Sequence, residues 1–261
     1  MELEEYKDRY STATVDRDEA GVLTIRMHNR HGDSLMWGGR PHRELPELFA
    51  AVASDRKNRV VVLTGTGDTF IGLFEGGSEG MAQGGMSAMA WDRTIFEGLR
   101  LVMQLLDIEV PVIAAVNGPV SVHSELAVLA DIVLAAEHAY FQDAPHFPGG
   151  LVPGDSMQVV WPLLLGPNRG RYFLLTGEKI HAAEAKQLGV VGEVLPADKL
   201  MARAYELAGN LAKLNPVLLR NTRYVLTRPL KRAMLDDLHL GLAVEAVTSI
   251  SGQQFFAAPE S

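Results

Sequence analysis

The sequence predicts an α/β core followed by an all-helical C-terminal region. Short apolar, β-branched runs alternate with segments of helical periodicity as far as Leu195, and after Pro196 every periodic segment is helical. The 261 residues are 47% hydrophobic and 21% charged, which suits one large folded domain, or one domain with a helical appendage, and not a disordered chain. The expected division is residues 1–196 as the α/β core and residues 197–261 as a helical region.

Each element follows from its pattern. Val22 to Met27 alternates apolar and polar residues, the mark of a strand with one buried face. Leu45, Leu48, Phe49 and Val52 recur at helical spacing within Pro41 to Ser54. Arg59 to Thr64 is a β-branched run closed by Gly65 and Gly67, a buried strand. Gly72 to Gly85 is rich in glycine with few apolar anchors, and reads as a loop or lid. Ile95, Leu99, Val102, Leu105 and Leu106 mark a long helix, and Val112 to Val116 the next strand. After the Asn117-Gly118-Pro119 turn come a short helix from Glu125 and strands at Asp131 to Ala135 and Ala139 to Phe141. Helices are expected from Asp155, from Pro167 and over Ala182 to Leu188, with a strand at Val190 to Leu195. The last helices are expected at Asp198 to Lys213, Pro216 to Leu226 and Leu230 to Ile250.

Composition removes whole classes of function. The absence of cysteine excludes disulfides, thiolate nucleophiles and cysteine metal sites. The net charge of -8, with no basic run among aromatics, argues against nucleic acid. The acidic first ten residues are no signal peptide and no apolar run is long enough for a membrane, so the expected location is the cytoplasm. The histidines show no short-range ligand pattern and no glycine-rich phosphate loop is present, so neither metal nor nucleotide cofactor is expected.

The residues that carry chemistry cluster in the middle of the chain. His146 stands nine residues before Asp155, across a Pro-Gly-Gly turn and a Pro-Gly turn that can fold both side chains onto one pocket. A carboxylate beside an imidazole fixes its tautomer and raises its basicity. Asp155 is equally placed to cap the helix after it. Glu125, two residues from His123, faces a different way if the segment is helical, and reads as a structural partner rather than an acid. Glu245 lies among Leu242, Ala243 and Val247 and needs a partner if buried. Trp37 is either a core residue or the donor of an indole N–H to a substrate carbonyl.

Three segments resemble the crotonase (enoyl-CoA hydratase/isomerase) superfamily: Arg59 to Phe70, Glu109 to Ala136 and Phe141 to Val194. The resemblance implies a spiral of ββα units with a C-terminal helical region, assembled as a homotrimer or a dimer of trimers. Departures from the hydratase pattern are specific. Ser121-Val122-His123-Ser124 replaces a glycine cluster that supplies an oxyanion N–H, His146 takes a catalytic glutamate position, Asp155 replaces a small residue, and Glu125 is retained. With Ser34-Leu35-Met36-Trp37, the Pro-His-Phe-Pro at Pro145 and the Val-Pro-Gly-Asp at Val152, these departures resemble the β-diketone hydrolase branch that includes 6-oxocamphor hydrolase.

That resemblance implies cleavage of the C–C bond of a β-diketone, cyclic or open-chain, by a retro-Claisen reaction without coenzyme A or metal. It implies His146 and Asp155 as the pair that activates water, His123 as donor to the enolate or oxyanion, and Trp37 and Glu245 as substrate-binding residues. The competing expectations are a CoA-thioester hydratase, isomerase or thioesterase, and a scaffold protein that has lost activity.

Overall fold

The computed structural model describes residues 1–73 and 86–255, and side chains as far as residue 249. Most of the expected lid, residues 74–85, lies outside the described residues. Six strands form the main sheet in the order β1 (Ala13–Arg17), β2 (Val22–Met27), β3 (Val60–Thr64), β4 (Val112–Val116), β5 (Ile132–Ala136) and β8 (Glu193–Leu195). β1 and β2 are antiparallel and every later pairing is parallel. β1 was not among the expected strands: its Thr14 and Asp16 are exposed, and it is held by pairing with β2 rather than by its own apolar content.

β3 and β4 are buried at every position because helices cover both faces of the sheet. Alternate residues divide between two cores. Val61, Leu63, Val112, Ala114 and Val116 join the larger core with α1 (Gly39–Ser54) and α2 (Ala88–Asp107). Val60, Val62, Ile113 and Ala115 meet Leu200, Ala204, Ala208 and Ala212 of α7 (Ala197–Ala212). The four-residue spacing puts Leu200 and the three alanines on one face of α7, and the alanines let the helix lie close on the sheet.

A second, smaller ladder runs beside the main sheet. Met36 bridges Gly72, Ile71 bridges Val120, and Val120 bridges Phe141. Phe141 belongs to β6 (Tyr140–Phe141), which pairs with β7 (Ile180–His181). The chain therefore repeats one move: a main-sheet strand, a residue in the second ladder, then a helix. β2, Met36 and α1 make the first turn; β3, Ile71 and α2 the second; β4, Val120 and α3 (Glu125–Val128) the third; β5, β6 and α4 (Met157–Leu165) the fourth. α5 (Pro167–Thr176) and α6 (Ala182–Gln187) lead to β8.

The last helices differ from expectation. α8 runs unbroken from Pro216 to Phe255 with Pro229 inside it, where two helices with a break near Pro229 were expected. Proline removes one backbone donor and bends a helix without necessarily ending it. Tertiary anchoring holds this one: the buried Arg223 donates to Asp131 at 2.6 Å and to the carbonyls of Leu106 and Ile108 at the end of α2. Among the described residues no helix is long and apolar enough to cross a membrane.

Candidate active site

The second ladder delivers the site. Trp37 follows Met36 directly, His123 comes three residues after Val120, and Asp143 and His146 come two and five after Phe141. Backbone bonds lock these exits together, from Trp37 N to Gly72 O at 3.1 Å, Ser121 N to Ile71 O at 3.0 Å and Ala144 N to Ser121 O at 3.1 Å.

His123 has φ of 48°, in the left-handed region that β-substituted residues rarely occupy. Ser124 pins the turn by accepting the indole N–H of Trp161 at 3.1 Å. This backbone overturns the expectation that Glu125 and His123 face apart. α3 begins only at Glu125, and the reversal at His123 brings its Nδ1 within 2.7 Å of Glu125 Oε1. The Trp37 ring packs on the His123 imidazole with centroids 3.9 Å apart.

His146 is gripped from behind by Asp143, whose Oδ1 is 2.5 Å from Nδ1. On its other side Nε2 lies 3.4 Å from Asp155 Oδ2 and 3.7 Å from Glu245 Oε1. The close partner of His146 is therefore Asp143, which the sequence reading did not single out. The same Asp155 oxygen is 3.3 Å from His123 Nδ1, so it stands between the two imidazoles. Asp155 does not cap the following helix: Ser156, in left-handed conformation, precedes α4, and the second oxygen of Asp155 has no hydrogen-bond partner among the described residues.

All of these side chains are nearly out of water: His123, His146, Asp155 and Glu245 are 3–8% exposed, and Asp143 and Glu125 are 0% exposed. A cavity of about 360 Å³ opens onto His123, His146, Asp155 and Glu245, with Trp37, Trp91, Val122 and Leu242 as apolar wall. The expected site residues thus share one cavity. A third histidine, His42, also lines it; its Nδ1 is 3.2 Å from Glu97 Oε2 and its ring meets Trp37 edge-on. The signal for His42 was its place one turn before Leu45 and Pro46 on the buried face of α1.

Burial drives the electrostatics. It lowers His123 to about 3, against the opposing charge of Asp155, so this imidazole is neutral near pH 7. Burial and the Asp155 charge raise Glu125 well above an ordinary carboxyl. Glu245 is raised by burial, against the hydrogen bond and charge of His146. Burial also pulls His146 down, but the charges of Asp155 and Asp143 and the bonds to Asp143 and Glu245 outweigh it, and His146 rises well above the ordinary histidine value. Glu97 is lowered, chiefly by its bond to His42.

Ligand atoms of His123, Glu125 and Asp155 fall within 4.8 Å of one another, a set that could hold a cation. Sequence spacing could not reveal it, because Asp155 joins through the fold.

Residues 17–249 match the family described as enoyl-CoA hydratase/isomerase. A putative enoyl-CoA hydratase/isomerase of Bacillus subtilis is 29% identical over 237 residues, covering 89% of this chain and 85% of its own. A probable enoyl-CoA hydratase of Mycobacterium bovis is 31% identical, over 88% of this chain and 82% of its own. Among solved structures, a β-diketone hydrolase from the cyanobacterium Anabaena, bound to (S)-3-oxocyclohexyl acetic acid, superposes with a TM-score of 0.90. It is 46% identical, covering 95% of this chain and 98% of its own. An enoyl-CoA hydratase/isomerase from Mycobacterium paratuberculosis superposes with a TM-score of 0.84 at 30% identity, over 94% and 96% of the two chains. The ββα spiral with its helical C-terminal region is the fold these structures share, and the chain belongs to the enoyl-CoA hydratase/isomerase, or crotonase, family.

Proposed function

We propose that this protein hydrolyses the C–C bond between the two carbonyls of a β-diketone, by a retro-Claisen reaction, to give a keto acid. The observation that carries the reading is the placement of one carboxylate, Asp155, 3.4 Å from His146 and 3.3 Å from His123, at the wall of an apolar cavity. The similar β-diketone hydrolase holds a molecule with one ketone and one carboxylic acid, the functional groups such a cleavage leaves.

The geometry supports a sequence of steps that balances. His146 Nε2, with Asp155 at 3.4 Å and Glu245 at 3.7 Å, is the ring nitrogen not held by Asp143, and is the one that meets a water in the cavity. His146, with Asp155 beside it, takes a proton as the water oxygen bonds to one carbonyl carbon. Collapse of that adduct breaks the C–C bond, and the electron pair moves onto the second carbonyl as an enolate. An N–H of His123 stabilises the developing oxyanion, with the Trp37 indole as the substrate's second contact. The enolate carbon takes back the proton held by the His146–Asp155 pair. One water is consumed and one new carboxyl group formed, and the chain's own residues supply every proton transfer.

A second reading, action on a CoA thioester, is favoured by the names of the hydratase relatives and by the retained Glu125. Against it, His123 fills the place of the glycine cluster that would expose an oxyanion N–H. Mass spectrometry of products from a panel of cyclic and open-chain diketones in H₂¹⁸O separates the two. Label in a new carboxylate supports hydrolysis; thermal stabilisation by acyl-CoA, with no diketone cleaved, overturns it.

We propose also that the chain assembles as a homotrimer or dimer of trimers. In support, Leu163, Tyr172 and Leu175 on α4 and α5, and Val217, Leu218 and Leu226 on α8, are large and exposed. Sedimentation equilibrium tests this, and a monomer would reject it.

A further inference from the structure

Behind each imidazole stands an acid that the reaction above does not use. Asp143 reaches His146 at 2.5 Å and Glu125 reaches His123 at 2.7 Å, and each does so through Nδ1. Both acids are 0% exposed, neither lines the cavity, and each has a second oxygen with no hydrogen-bond partner among the described residues. They cannot touch a substrate, so whatever they contribute passes through the histidines.

We propose that Asp143 and Glu125 are positioning residues that hold the two histidines in opposite tautomers. Asp143 accepts the Nδ1 hydrogen of His146 and leaves Nε2 as the base. The protonated Glu125 carboxyl donates a hydrogen bond to Nδ1 of His123 and leaves Nε2–H as the donor toward the cavity. This rests on the reading of His146 and His123 given above and deepens it.

The asymmetry comes from what surrounds each pair. His146 has Asp143 on Nδ1 and two further carboxyl groups, Asp155 and Glu245, facing Nε2. A hydrogen on Nδ1 lies toward the nearest of the three. At His123 two carboxyl groups converge on one nitrogen, Glu125 at 2.7 Å and Asp155 at 3.3 Å. Two buried carboxyl groups crowded on one nitrogen do not both stay ionised, and the one that keeps its hydrogen is the one without another cationic partner. Asp155 has His146 as well as His123; among the described residues Glu125 pairs with His123 alone. Burial acts in the same direction, because charge on either Glu125 or His123 is disfavoured where both are out of water. A neutral acid beside a neutral imidazole turns the imidazole into a donor on its far side, as an oxyanion contact needs.

The test uses the full chain labelled with ¹⁵N-histidine, with ring signals assigned by their loss in His146→Ala and His123→Ala. Ring nitrogen-to-carbon-proton correlations, recorded above the His146 transition, are expected to show hydrogen on Nδ1 of His146 and on Nε2 of His123. The same tautomer at both positions overturns the proposal, and this readout needs no substrate.

Kinetics give the second arm. Asp143→Asn is expected to lower kcat by about 10²–10⁴-fold, with KM little changed, and to move the acid limb of the pH profile to lower pH. Glu125→Gln is expected to lose less than about tenfold, because an amide N–H can replace the carboxyl O–H, while Glu125→Leu loses far more. Equal losses in Asp143→Asn and Glu125→Gln, or an unmoved acid limb, would count against the assignment. A wild-type protein that cleaves no diketone would reject the proposed function, and the spectra would still decide the tautomers. If Asp143→Asn fails to fold, the wild-type spectra decide alone.

Discussion

Gly154 and Gly241 meet back to back where the loop before α4 crosses α8. A Cβ on either would stand closer than 3.0 Å to the carbonyl oxygen of the other. This crossing sets the distance between Asp155, one residue after Gly154, and Glu245, one helical turn after Gly241. It is also where the C-terminal helix reaches the site. Gly241→Ala is expected to cost about 1–3 kcal/mol by overpacking and to lower activity by separating Glu245 from His146. Denaturant unfolding and steady-state kinetics measure the two effects; unchanged activity would show that the crossing does not hold the site.

His146 stands nearest the proposed water and has the raised proton affinity of a base. His146→Ala is expected to reduce diketone cleavage by about 10²–10⁴-fold. Progress curves on any diketone the wild type accepts test this, and undiminished turnover would remove His146 as base.

The pH profile follows from the same residue. The free base is needed, and its proton is held more tightly than that of an ordinary histidine. The acid limb of kcat/KM is therefore expected above the ordinary value of about 6.5. A limb at or below that value would mean another group takes the proton from water.

Stability has its own pH dependence. His123 is lowered from 6.5 to about 3, so the folded state binds its proton more weakly than the unfolded state does. Its contribution is present above pH 6.5 and is lost as pH falls toward 3, with a slope of at most about 1.4 kcal/mol per pH unit. Glu125 and His146 are raised, and their contributions are lost as pH rises through their folded values. His123→Asn, which removes the titration and tolerates a left-handed backbone, is expected to flatten the loss of melting temperature below about pH 6.5. Parallel acid slopes in variant and wild type would contradict this.

Arg223 binds α8 to the end of α2 and to Asp131, with its side chain 1% exposed. Arg223→Leu is expected to destabilise the fold by about 3–5 kcal/mol, since Asp131 loses its buried cation, keeping the Val112 N–H, and two carbonyl groups lose the guanidinium donor. Chemical denaturation tests it; a loss below about 1 kcal/mol would show that solvent replaces the guanidinium.

The sequence by itself determined the main-sheet strands from Val22 onward, because β-branched runs and two-residue alternation are local signals. It also singled out His123, His146 and Asp155, which stand where a familiar pattern changes chemistry, together with Glu245, a carboxylate on an apolar helix face, and Trp37, an indole that can donate to a carbonyl. Tertiary structure decided the rest. Asp143 lies three residues from His146, yet nothing local says that its carboxyl turns toward Nδ1. Glu125 meets His123 because one backbone angle is positive, and a side-chain period cannot report that. Pro229 stays inside a helix because tertiary contacts hold α8 on both sides of it, Arg223 before it and the buried Met234, Leu238 and Leu242 after it. Asp155 becomes the bridge between two imidazoles only when the second ladder sets its exits side by side and two glycines let α8 close over them.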